Sequence, residues 1–210
     1  MSETPSRSSS AVARTSKKDL IRWKRNYTRL FGKKPDLTHI RIPARPEGFG
    51  PMRLIVVASE IIEWTDNHPI QGTVDTLKKH FLVRHDFEKD LDKAVTRNDR
   101  NPVNGTYALW IRDVQQLDEE NRNLSAVDLL QRGEIGLTLL ERILLEADYF
   151  FEKGTHMDQY YSTLCTGSRY HNEDERFVPC VISVPAGFCV TGHDESNRNW
   201  NICSRRVWTV

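Results

Sequence analysis

The sequence predicts an α+β protein: two main helices packed on a small, mostly antiparallel sheet, with a basic helical arm in front. Three observations carry that expectation. Residues 138–153 hold Leu139, Leu140, Ile143, Leu144, Ala147, Phe150 and Phe151 in one broad apolar stripe at helical spacing. Arg53–Ala58 and Thr106–Arg112 are β-branched and aromatic runs of strand length. Beyond Gly154 the texture changes to short strand-like runs separated by polar loops. The chain has 210 residues, which fits one domain plus an arm. Apolar residues make up only 38%, but 5 Trp, 8 Phe and 6 Tyr supply bulky core material. No apolar run approaches the roughly 20 residues that cross a bilayer. The opening Met1–Ser10 has no apolar segment of the secretory type, which predicts a cytoplasmic protein.

Taken in order, residues 1–15 are rich in Ser, Thr and Arg with little to bury, and disorder is expected there. Ser16 and Asp19 have capping-box spacing, and Leu20, Trp23, Tyr27, Leu30 and Phe31 follow on one helical face. Gly32 and Pro35 stop that helix. Lys18, Arg22, Lys24, Arg25 and Arg29 occupy its opposite face. Residues 16–46 are thus a basic amphipathic helix with a Pro-containing connector, and 47–210 form the α+β domain.

Within that domain Arg53–Ala58 is expected as a central strand, and Thr73–Phe81 as a short helix capped by Thr73. Asn101–Gly105 has turn chemistry, and the strand after it is apolar on both faces, hence covered on both sides. Asp118–Asn123 reads as a polar surface loop. Ser125 and Asp128 form a second capping box, opening a short helix that Gly133 closes. Gly154 ends the long helix. Strands are expected at 177–184, 187–191 and 204–210.

Charge is distributed unevenly. Residues 1–46 carry 12 Lys/Arg against 3 Asp/Glu, a balance of +9, while residues 47–210 carry 18 against 26, a balance of −8. The basic segment has two readings: it lies on its own acidic domain with its cations solvated, or it meets an anionic partner such as nucleic acid.

The search for chemistry is largely negative. No nucleophile elbow, zinc-helix motif, phosphate loop or dinucleotide fingerprint is present, and no motif calls for a cofactor. Cys165, Cys180, Cys189 and Cys203 are separated by 14, 8 and 13 residues, without the short knuckle of zinc sites. They are expected as reduced, packed thiols, and no metal site is assigned. Asp90, Asp92 and Asp99 are too sparse to suggest a cation site.

The C-terminal part, 165–210, is different. Tyr170, His171, Asn172, Asn197, Asn199, Trp200 and Asn201 combine rigid aromatic area with adaptable amides, the composition of a recognition surface. The competing reading is that Asn and Asp are turn formers.

Leu91–Arg100, Asn104–Asp113 and Asn123–Ser125 resemble a family of uncharacterised bacterial proteins. Phe31–Gly32, Ile40–Pro43, Arg53–Val57, Leu139–Arg142 and Leu164–Arg169 extend that resemblance over roughly residues 20–208. It implies no particular activity. Asp194–Val207 also resembles the closing segment of the C-type-lectin-like fold found in variable target proteins of diversity-generating retroelements. Replaced positions in those proteins favour Asn, Tyr, Asp, His and Ser. Here Gly167-Ser-Arg stands where a glycine-tryptophan run is usual, and Cys203-Ser-Arg-Arg replaces a glycine-phenylalanine-arginine ending. The likeness implies a C-type-lectin-like fold displaying variable residues.

The functional expectation is a non-enzymatic binding protein. Its 170–176 and 193–201 loops would take an unknown protein or small ligand. The alternative is a nucleic-acid-associated protein contacting phosphate through Arg22, Lys24, Arg25 and Arg29, with Trp23 or Tyr27 free to stack. A Cys- or metal-dependent enzyme is the third reading.

Overall fold

Thr138 starts the longest buried helix with a reciprocal cap: its hydroxyl accepts from Glu141 N, and the Glu141 carboxylate accepts from Thr138 N at 2.8 Å. Gly154, at φ 69°, ends that helix in the left-handed conformation. The computed structural model describes residues 7–87, 90–116, 118–170 and 177–210, with side chains of the first helix from Lys17 onward.

In chain order the elements are α1 (Arg7–Phe31), β1 (Met52–Val57), α2 (Ile61–Trp64), α3 (Pro69–Leu77), β2 (Leu82–His85), α4 (Leu91–Ala94) and β3 (Val95–Asn98). There follow β4 (Tyr107–Arg112), α5 (Ala126–Gln131), α6 (Leu139–Lys153), β5 (Ser162–Leu164), β6 (Ser168–Tyr170), β7 (Phe177–Val184), β8 (Gly187–Asp194) and β9 (Ile202–Ser204). The α+β class is as expected, and no helix among the described residues is long and apolar enough to cross a membrane.

The sheet is larger than expected. β1 and β4 form an antiparallel pair, with Leu54 opposite Trp110. A separate seven-stranded sheet has the order β2-β8-β7-β5-β9, with β6 on β7 and β3 on β6. It is mostly antiparallel, with parallel pairings at β2/β8 and β5/β9. β1 is therefore an edge rather than a central strand, although all six of its residues are buried.

That edge explains α1. The carbonyls of β1 turned away from β4 need donors. Trp23 Nε1 donates to Leu54 O at 2.7 Å, Arg22 Nη2 to the same oxygen at 3.0 Å, and the Tyr27 hydroxyl to Val56 O at 3.0 Å. The Tyr27 oxygen also accepts from Ala58 N. The basic segment is thus no detached arm: its aromatic stripe closes the sheet edge. α1 begins at Arg7, upstream of the expected cap, and takes in residues 7–15, for which the composition predicts disorder. Asp19 serves Arg22 instead of capping.

Two further boundaries differ. α3 starts at Pro69 because the Asp92 carboxylate accepts from Ile70 N and Gln71 N at 3.0 and 2.8 Å. Thr73 lies inside the helix and donates to Pro69 O. The 118–123 segment is partly buried: Asp118 accepts from Arg206 N at 2.7 Å, and Asn121 reaches Ser204 O. The expected terminal strand reduces to β9 followed by single bridges, Gly136 with Arg206 and Trp110 with Trp208.

α6 touches α1, α3, β1 and β7, so its polar face is buried along with its apolar one. Glu141, Arg142, Glu146 and Asp148 are all inaccessible to solvent. Ions removed from water in this way need close partners. Glu141 takes Arg100 at 2.7 and 2.8 Å. Arg142 and Glu146 pair at 2.6 Å, and His156 Nδ1 lies 2.7 Å from the second Glu146 oxygen. Asp148 takes Arg53 at 2.6 Å and Arg22 at 2.8 Å, tying α6 to β1 and α1. A smaller apolar cluster of Ala126, Leu164, Val178, Cys180 and Ile202 lies beneath α5.

Candidate functional site

The loop joining β8 to β9 is built to hold its shape. The Asp194 carboxylate accepts from Ser196 N at 2.8 Å and from the Ser196 hydroxyl at 2.6 Å, an Asx turn. Asn197 N donates to Asp194 O, and Ile202 N to Asn199 O. Arg198 forks onto both oxygens of Asp128, whose carboxylate reaches back to the Ser125 cap of α5, with Nε at 2.6 Å. That guanidinium, followed by the Ser125 N–H, holds the Asp128 carboxyl well below the usual range. Val127 N donates to Glu195 O at 3.1 Å, and Ser162 N to Asn201 O at 2.8 Å.

The last of these bonds brings a second segment alongside. Tyr161 and Asn201 directly precede Ser162 and Ile202, which pair in parallel. Tyr160–Tyr161 and Trp200–Asn201 therefore enter the sheet side by side. Trp200 is 70% exposed and Tyr160 72% exposed. Tyr161 accepts a hydrogen bond from Arg122 at 3.1 Å, with the guanidinium 5.2 Å from its ring centroid.

Tyr160 sits at φ 68° and Asp158 at φ 52°, both in the left-handed region that favours glycine. The buried Asp158 carboxylate fixes this bend by taking Arg205 through Nε at 3.0 Å, Thr163 at 2.7 Å, and Arg142 at 3.5 Å. Burial opposes ionisation of Asp158, but the Arg205 and Arg142 charges outweigh it and hold its pKa low.

The sequence-derived binding residues fare unequally. Asn197, Asn199, Trp200 and Asn201 share the loop just described, with Asn197 and Trp200 exposed and the other two half-buried. Tyr170 is no loop tip. It closes β6, its ring packs 5.1 Å from Phe87 and 5.2 Å from Phe177, and it lies across Gly192, where a Cβ would approach it to 2.3 Å. His171 and Asn172 lie outside the described residues. Tyr160, Tyr161 and Arg122 are absent from the sequence-derived set. Their one signal is the aromatic pair after Asp158, where a polar loop is expected.

The nucleic-acid set is also divided. Arg22 is committed to Asp148, Asp19 and Leu54 O. Trp23 and Tyr27 are buried, so neither is free to stack on a base. Lys24, Arg25 and Arg29 remain on the outer side of α1, with Arg29 4.0 Å over the Phe151 ring.

All four cysteines are free thiols, three of them buried. Burial pushes the Cys180 and Cys203 thiols up to about 12, which leaves them protonated near neutral pH. Among the described residues, His68, Asp90 and Asp92 bring ligand-type atoms within 4.8 Å of one another. Both Asp92 oxygens cap α3, however, and one Asp90 oxygen accepts from Asp92 N while the other lies 3.2 Å from His68 Nδ1. Two concavities of about 350 and 320 Å³ share Arg100 and Asn101 as a wall, but Arg100 is engaged by Glu141 and Gly136 O. The chain matches no protein-family model, no curated protein and no solved structure.

Proposed function

We propose that this is a non-enzymatic binding protein that captures its partner at the corner formed by Trp200, Tyr160 and Tyr161, with Asn197, Asn199 and Asn201 around the rim. One observation carries the reading: two large aromatic side chains stand about 70% in water on adjoining segments whose backbones are pinned. Exposed aromatic residues on a rigid support lose little conformational freedom on binding and are the usual anchors of an interface. The resemblance of Asp194–Val207 to the closing segment of C-type-lectin-like proteins supports a display role for the same loop. So do its asparagines, a type favoured at the replaced positions of retroelement target proteins.

The test is co-purification of the full chain from its own cells, against a Trp200→Ala/Tyr160→Ala double variant. Neither side chain is packed in the core, so the variant keeps the parent's melting temperature. The expected result is loss of a stoichiometric partner. A partner retained in full by a folded double variant contradicts the proposal.

A further inference from the structure

We infer that the outer face of α1 is a second interaction surface, which binds the phosphate backbone of a nucleic-acid duplex without reading its sequence. Lys17, Lys18, Lys24, Arg25, Arg29, Lys33 and Lys34 lie along α1 and just beyond its end. None has an ion-pair partner among the described residues: the neighbouring Asp19 is taken by Arg22. The spacing 17/18, 21, 24/25, 28/29 follows the three- and four-residue steps of one helix face. At 1.5 Å per residue the helical part of the stripe, from Lys17 to the end of α1, extends about 21 Å. Ile21, Lys24, Arg25, Thr28, Arg29 and Lys34 line a shallow groove of about 520 Å³ on it.

The occupant follows from what the stripe has and lacks. The carboxylates buried in the domain do not neutralise it, because Asp148, Glu141, Glu146 and Asp158 are held in ion pairs of their own, and the exposed Asp36 feels the charge of Lys24 without forming an ion pair with it. The apolar face of α1 is spent on β1, so the helix has none left to insert into a lipid surface. Its aromatic rings face inward, which removes the stacking platform that single strands use. What remains outward is cationic side chains with Ile21 and Thr28, suited to phosphate and not to base edges. A duplex offers one negative charge per roughly 1.7 Å of axis, so several phosphates fall within the stripe.

Fluorescence anisotropy of the full chain with a 20-base-pair DNA of arbitrary sequence tests this between 50 and 300 mM NaCl. With about five phosphates neutralised, log affinity is expected to fall with log salt at a slope of about −4.5. A Lys24→Ala/Arg25→Ala/Lys33→Ala/Lys34→Ala variant removes only side chains without ion-pair partners and keeps its melting temperature. Its slope is expected to shrink by about 0.9 for each phosphate left unneutralised, with affinity down about tenfold or more at 50 mM. No binding at 50 mM salt, or a slope untouched by the variant, overturns the inference. So does tighter binding to phosphatidylserine vesicles or to single strands than to the duplex, or salt-sensitive self-association that blocks the stripe.

Discussion

Asp148→Ala is expected to destabilise the protein by about 3–5 kcal/mol, the cost of breaking a buried ion pair from one side. Asp148 is where three elements meet. Its carboxylate holds Arg53 of β1, and Arg22 and Asn26 of α1. Removing it leaves Arg53 buried with two partners, Asp113 at 2.7 Å and Glu152 at 2.6 Å, both nearer the surface. These retain part of the compensation and place the loss toward the lower figure. Arg22 loses its inward partner, and Asn26 is left with an unanswered buried amide. For a chain of this size each kcal/mol shifts the melting temperature by about 2–4 °C, so a drop of about 6–12 °C is expected for a loss near 3 kcal/mol. Urea denaturation measures the difference directly. A loss below about 1 kcal/mol would mean that α1 is held by its aromatic stripe alone.

The second large effect is at Asp158. Asp158→Asn preserves shape but leaves the buried Arg205 and Arg142 without their shared negative charge, and about 3–5 kcal/mol is again expected at pH 7. Here pH separates charge from shape. The folded-state pKa of Asp158 lies below its unfolded value. Its stabilising contribution is therefore complete above about pH 4 and is lost as pH falls through the folded value. The gap between parent and variant should be widest from pH 5 to 7 and narrow below about pH 4. A gap constant over that range would assign the loss to hydrogen-bond geometry rather than ionisation.

These two carboxylates also mark how far the sequence can be read. The helix 139–153 is legible from its stripe, its Thr138–Glu141 cap spacing and Gly154. That its charged face is buried is not, because the partners come from Arg22, Arg53 and Arg100, distant in the chain. The same holds for α1. Its aromatic periodicity is visible, but the need of β1 for donors at Leu54 O and Val56 O emerges only once β1 is known to be an edge. Strands of three or four residues, such as β3, β5 and β6, are too short to show alternation. The start of α3 depends on Asp92, a cap from outside the local sequence.

The candidate surface is half visible. Loop chemistry at Asp194–Asn201 points to a turn-rich display segment, and the Asx turn and exposed Trp200 lie there. The half-burial of Tyr170 is not legible in the sequence, because it comes from Gly192, a gap in the neighbouring strand that accepts the ring. Tyr160 escapes it because its outward direction follows from a left-handed backbone locked by Asp158 and Arg205.

The functional claim therefore separates two aromatic residues that the sequence treats alike. A photo-crosslinking amino acid placed at position 200, and in a second protein at position 170, gives the most direct comparison in living cells. The account predicts a discrete covalent adduct from position 200 and none from position 170, which is half-buried against Gly192. Adducts from 170 alone, or the same adducts from both, would contradict it.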